Sequence, residues 1–224
     1  MGRELDTLGT ENHVRVHVTR EAVRQAALTL FAERGYRATS MRDIADALGL
    51  RAPSLYNHVR SKEDILVGIM DSAMDRALAD LRTAISSTDD VAEQLRRATE
   101  SLVLQFLRYP REVTVSNNEI RSLGERDRAK IMAKRDEYGQ GFQDLIERGC
   151  TLGRFHVESP RLASYAILEM GNGAKVWFRK GGLYSEAEVA HQYSEFALKI
   201  VGVAESGSAL EAHRPGDGEI EHGA

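Results

Sequence analysis

An all-α fold is what the sequence predicts, and three observations carry that expectation. Apolar residues recur at i, i+3, i+4 and i+7 along most of the chain, the spacing that gathers them on one helix face. Serines stand just ahead of several such stretches, three residues before an acid, as they do at capped helix starts. No series of segments alternates apolar and polar residues in the manner of half-buried strands.

Composition narrows the classes further. The 224 residues are enough for a substantial core, with hydrophobic residues at 42% and charged residues at 29% marking a soluble globular chain. No apolar run approaches the length of a bilayer span, and the polar start "MGRELDTLGTENHVRVHV" lacks a signal-peptide core. The single Cys150 excludes an intrachain disulfide and fits a reducing compartment, so a cytoplasmic protein with no membrane partner is expected. The net charge of −4 hides an asymmetry: residues 1–62 hold ten Lys/Arg against seven Asp/Glu, and the remainder twenty against twenty-seven. A basic head on an acidic body is compatible with a nucleic-acid-contacting module joined to something else.

Thr19 caps the first helix, and Val23, Ala26, Ala27, Leu30 and Phe31 form its inner face before Gly35 stops it. In "TSMRDIADALG", Ser40 and Asp43 make a capping box, Ile44, Ala45 and Leu48 face inward, and Gly49 ends the element. Pro53 then opens a very short helix held by Leu55 and Val59 alone. Ser61 and Asp64 offer another box before a long amphipathic stretch through Ile65, Leu66, Ile69 and Met70. Two short helices joined by a tight glycine turn, the second polar outward, are the sequence form of a helix-turn-helix. Two apolar anchors with a surplus of donors in "RAPSLYNHVRSKEDIL" suit a recognition helix. Tyr56, His58 and Lys62 would reach phosphates, while Arg51, Ala52, Pro53, Ser54 and Asn57 would meet base edges.

The segments "ALTLFAERGY", "TSMRDIADALGL" and "SLYNHVRSKEDIL" also carry a family resemblance: about fifty consecutive residues resemble the N-terminal domain of TetR/AcrR-type transcriptional regulators. The resemblance implies a homodimer on palindromic double-stranded operator DNA, with a C-terminal domain for a small-molecule effector. It makes Ser40, Arg42, Tyr56, His58 and Lys62 phosphate contacts and seats Arg51, Ala52, Pro53, Ser54 and Asn57 at the groove. Where the family often has a bulky aromatic between Tyr56 and His58 this chain has Asn57, so its operator is expected to be read differently.

In the body, Val91, Leu95, Ala98, Leu102, Phe106 and Tyr109 form a stripe that Pro110 stops. The following region reads as one kinked or two consecutive helices with Ile131, Tyr138, Phe142, Leu145 and Ile146 inward. A helix from Ser159-Pro160 is expected to run to Gly181-Gly182, and a Ser185/Glu188 box opens the last one, burying Val189, Tyr193, Phe196, Ala197 and Ile200. Small residues on these two helices (Ala163, Ala166, Gly171, Gly173, Ala174, Ala190, Ala197) suit a close helix seam between two copies.

"NNEIRSL" and "AKVWFRKGGLYS" resemble segments of TetR-type repressors that respond to acyl-CoA thioesters in fatty-acid or steroid breakdown. That resemblance implies an apolar box of Phe106, Tyr109, Phe142 and Ile146. Around it would stand Asn117, Glu119, Ile120, Arg121, Asn172, Lys175 and Trp177, with Arg179 as a further cation. Asn172 stands where such relatives have a pocket tryptophan.

The expected organisation is a flexible arm over 1–18, the helix-turn-helix over 19–64, a ligand-binding and dimerisation domain over 65–203, and a disordered tail over 204–224. His13 and His17 are four apart but no third ligand is near, so no metal is expected. No phosphate loop, dinucleotide fingerprint or Ser/His/Asp grouping is present, so neither cofactor nor catalysis is expected. The alternative is a small-molecule-binding helical enzyme whose N-terminal helices are only structural.

Overall fold

The computed structural model describes residues 18–203. Among these there are nine α-helices and no strand: α1 (Arg20–Arg34), α2 (Met41–Ala47), α3 (Ala52–Leu55), α4 (Lys62–Ser86), α5 (Val91–Arg108), α6 (Pro110–Glu119), α7 (Glu125–Thr151), α8 (Pro160–Trp177) and α9 (Glu186–Ile200). The arm residues 1–17, including His13 and His17, and the tail 204–224 lie outside the described residues. Val18, which sequence reasoning placed in the arm, is buried against the head.

The local signals explain most helix ends. Thr19 accepts from the Ala22 N–H, and the Ser40/Asp43 and Ser185/Glu188 boxes are both closed. Gly35 ends α1 with φ +87°, a backbone conformation that a side chain would strain. Ser61 caps α4 from the Asp64 N–H, but Asp64 does not complete the box. Its carboxylate accepts instead from the Arg60 N–H and from Arg20 of α1 at 3.0 Å. Pro110 does more than stop α5: it opens α6 at once, because a proline in the first turn forfeits no intrahelical hydrogen bond. The helix from Pro160 ends at Trp177, short of the glycines at 181 and 182.

Three apolar clusters follow, the smallest joining Val103, Leu107, Ala174, Val189 and Ala190 between α5, α8 and α9. The head core joins Val23, Phe31, Ile44, Leu55, Val59, Ile65 and Leu66, yet it does not stop with the helix-turn-helix. Met70 of α4, Val115 of α6, Leu123 ahead of α7 and Ile131 on α7 belong to the same buried cluster. The body core joins Leu95, Leu102, Tyr138, Phe142, Ile146, Ile167 and Ala197. At Gly171 a Cβ would stand 3.0 Å from Leu102, so the missing side chain is what lets α8 lie this close to α5.

The small residues are used differently from the expectation. Ala163, Gly171, Ala174, Ala190 and Ala197 are buried inside the protomer, and only Ala166 and Gly173 face out. The outer face of α8 and α9 is instead large and apolar: Leu162, Tyr165, Val176 and Trp177 on one helix, Phe196 and Ile200 on the other. Phe196 and Ile200 were expected inside. Ser194 and Leu198 take those inner positions, and the buried stripe of α9 is rotated accordingly.

Because Ile131 is fully buried in the head core while sitting on a body helix, Ile131→Ala is expected to cost about 2–5 kcal/mol. Head and body should then still unfold in one urea transition by circular dichroism. Two resolved transitions, or a loss under about 1 kcal/mol, would contradict the shared core.

Candidate functional site

The helix-turn-helix presents a narrow exposed face. α3 is one turn long, anchored by the fully buried Leu55, and hydrogen bonds from the Asn57, His58 and Val59 amides continue it as a turn. Arg51, Pro53, Tyr56 and Asn57 are exposed, Tyr56 at 55%, and Ala52, Ser54 and His58 are half-buried. On α2, Arg42 is exposed and Ser40 lies at the helix start, its hydroxyl 2.5 Å from Asp43 in the capping box. α2 and α3 pack against each other.

Lys62 is the exception. Its Nζ donates to the Tyr36 carbonyl at 2.8 Å and the Thr39 carbonyl at 2.7 Å, and lies 4.4 Å from the centre of the Tyr36 ring. The ammonium therefore ties α4 to the α1–α2 turn. Two of its three N–H donors are held by these carbonyls, so Lys62 is tied into the head rather than exposed like Arg51, Tyr56 and Asn57.

A cavity of about 250 Å³ opens between α4, α5, α6, α7 and α8. Its apolar wall comes from Met70, Met74, Ala77, Leu102, Phe106, Ile131 and Leu168. Met70 and Ile131 are also members of the head core, so one layer of side chains separates the cavity from the helix-turn-helix. Its polar side is a loose chain of hydrogen bonds. Arg135 Nη2 donates to the Ser116 carbonyl at 2.9 Å and toward Asn117 Oδ1 at 3.5 Å. Asn117 reaches Asn172 at 3.4 Å, and Asn172 accepts from Lys175 at 2.8 Å and donates to Glu169 at 3.2 Å. Burial pushes the pKa values of Arg135 and Lys175 down, since each is taken partly out of water.

Of the expected ligand set, Phe106, Asn117 and Asn172 line this cavity. Lys175 touches it through Asn172 and faces an adjoining cleft with Phe106, Arg108 and Lys180. The others go elsewhere. Phe142 and Ile146 are fully buried in the body core, below the cavity on the same stripe of α7. Tyr109 is covered by the Arg76 guanidinium, 4.0 Å from its ring centre. Glu119 accepts from Ser122, Ile120 packs on the head core, and Arg121 is exposed. Trp177 stands on the outer face, donating to the Tyr193 hydroxyl at 3.2 Å. Sequence reasoning missed Gln105, Ser116, Arg135 and Glu169. A signal for Arg135 existed: it falls between Ile131 and Tyr138 on the inward stripe of α7, where a charge is out of place.

Comparison with known proteins decides the family. Residues 23–69 match the profile of bacterial regulatory proteins of the tetR family, and residues 88–201 match the tetracyclin repressor-like C-terminal domain. The chain belongs to the TetR family. It is thus a DNA-binding transcriptional regulator of the helix-turn-helix type. The transcriptional repressor KstR2 of Mycobacterium tuberculosis is 27% identical over 194 residues, spanning 86% of this chain and 96% of the relative. KstR2 of Rhodococcus jostii is 30% identical over 174 residues, 77% of this chain and 85% of that one. The solved structure of M. tuberculosis KstR2, described as a ketosteroid transcriptional regulator, superposes with a TM-score of 0.76 over 85% of this chain and 98% of that one, at 26% identity. AibR in complex with isovaleryl coenzyme A and operator DNA shares the fold, with a TM-score of 0.70 over 81% of this chain and 97% of that one, at 24% identity. No helix among the described residues is long and apolar enough to cross a membrane.

Removing the Lys62 clamp leaves the Thr39 carbonyl short of a donor and the Tyr36 carbonyl with the Thr39 amide alone, so Lys62→Met is expected to destabilise the protein by about 1–3 kcal/mol in thermal melts. Tyr56→Ala, at an exposed position, should stay within about 0.5 kcal/mol of the parent. Equal melting points for Lys62→Met and the parent would return Lys62 to the free contact surface.

Proposed function

We infer that this regulator is a repressor that binds a palindromic operator as a homodimer and is released by a small molecule seated in the cavity, an acyl-CoA thioester of lipid or steroid breakdown. The observation that carries the effector half is the double membership of Met70 and Ile131 in the cavity wall and the head core. A ligand that fills the cavity presses on residues whose other side is the packing of the helix-turn-helix. Interiors are close-packed, so such a push is passed on as a shift between discrete packings. α6 adds a second route, since Val113, Ser116 and Asn117 line the cavity while Val115 is buried in the head core.

The acyl-CoA reading is supported by three features. One part of the cavity wall is apolar, another is polar, and the adjoining cleft carries Arg108, Lys175 and Lys180 against the single carboxylate of Glu186. KstR2 being a ketosteroid regulator points in the same direction. The exposed apolar face of α8 and α9 supports the homodimer, because monomers rarely leave so many large apolar side chains in water. The ligand acts only through its differential affinity: if it prefers the state whose heads misfit successive major grooves, operator affinity falls by that preference.

Anisotropy titrations on the DNA upstream of the protein's own gene test this. Operator affinity is expected to fall on the order of a thousandfold between 50 and 200 mM salt, through release of counterions. An acyl-CoA should lower it further at fixed salt. DNA binding indifferent to salt, or no binding, would favour the enzyme alternative; tight binding that no thioester relieves would retain the repressor and discard this effector class.

A further inference from the structure

The polar side of the cavity holds a cation without a counter-ion and a hydroxyl without a partner. Arg135 has no carboxylate within ion-pair distance among the described residues, and only its Nη2 is engaged, by a carbonyl and an amide oxygen. The Ser116 hydroxyl, on the adjacent turn of α6, is buried with no hydrogen-bond partner. Both residues line the cavity, beside an apolar wall that offers neither of them anything. A partly desolvated guanidinium with no carboxylate, beside a hydroxyl with no partner, leaves this wall with donors to spare. Glu169, a carboxylate on the same wall, is exposed and held by Asn172 rather than by Arg135.

We propose that Arg135, with the Ser116 hydroxyl beside it, binds the acyl oxygen of the effector, whose apolar body lies along the wall of Met74, Leu102, Phe106 and Leu168. This rests on the reading of the cavity as the effector seat. The recognised chemistry is a carbonyl or carboxylate oxygen at one end of an apolar body. It comes from either a free acid or its thioester, whose nucleotide would then lie outside. Arg135 is the specificity-determining residue: its fork rewards an acceptor that a neutral hydrocarbon or alcohol of the same length cannot supply as well.

Octanoyl-CoA, octanoate and octan-1-ol share one apolar body and differ at this end. Calorimetric titration of each into the full chain is expected to show at least one acyl compound binding roughly tenfold or more tighter than octanol. Whichever of the two acyl probes binds names the source. Arg135→Met should erase that preference, a roughly ten- to hundredfold loss for the acyl probe with octanol unchanged, and Arg135→Lys should restore part of it. Ligand-free melts of both variants establish that they are folded. Operator release by octanoyl-CoA that Arg135→Met leaves intact overturns the inference and spares the effector reading. Arg135-dependent binding without operator release does the reverse, and binding by none of the three probes overturns both.

Discussion

The constraint on which the rest of this structure depends is that the head core reaches into the body helices, up to the cavity wall. Met70 and Ile131 are buried from both sides, by the head below and the cavity above, and Val115 on α6 joins them from a third element. A chain with an independent head could bind DNA and ligand side by side without either event sensing the other. Here the side chains that fix how α4 leaves the head also shape the space a ligand must fill. The Asp71–Lys130, Asp71–Lys134 and Asp75–Lys134 pairs hold α4 to α7 along the exposed flank of the same contact. Exposed pairs contribute little individually, so the apolar layer governs the energetics and the ion pairs set register.

The head was legible because its signals are local. Thr19, Ser40 and Gly35 each act within a few residues of themselves, and two anchors, Leu55 and Val59, suffice to orient a helix of one turn. What could not be read was Lys62, whose partners are carbonyls of Tyr36 and Thr39, more than twenty residues back and invisible to any periodicity. In the body, helix existence was legible and helix phase was not. A serine at 194 fully buried against α5, where Phe196 was the more hydrophobic choice, reflects the neighbour's shape rather than the residue's own preference. Phe142 and Ile146 share the stripe of Ile131 and Tyr138, and only tertiary packing divides that stripe into cavity wall above and solid core below.

The cavity's polar members divide along the same line. Asn117 and Asn172 are polar interruptions of amphipathic helices and were found as such, while Arg135 was overlooked because a cationic residue on a long charged helix attracts no notice until its neighbours at −4 and +3 are seen to be buried. Position on the stripe, rather than residue type, was the informative quantity. The same holds for the glycines: Gly171 matters for the approach of α8 to α5 and Gly173, two residues on, meets nothing.

The large apolar side chains on the outer face of α8 and α9 have a further consequence, for the order in which the molecule is made. They lie at the C-terminal end of the described chain, so head, cavity floor and α7 leave the ribosome before any of this surface exists. At roughly 5–20 residues per second the stretch from Pro160 to Ile200 takes only about two to eight seconds to synthesise. The same two helices bring Ile167, Ala197 and Leu198 to the body core, so that core and the adhesive surface are completed together, after the head has been made.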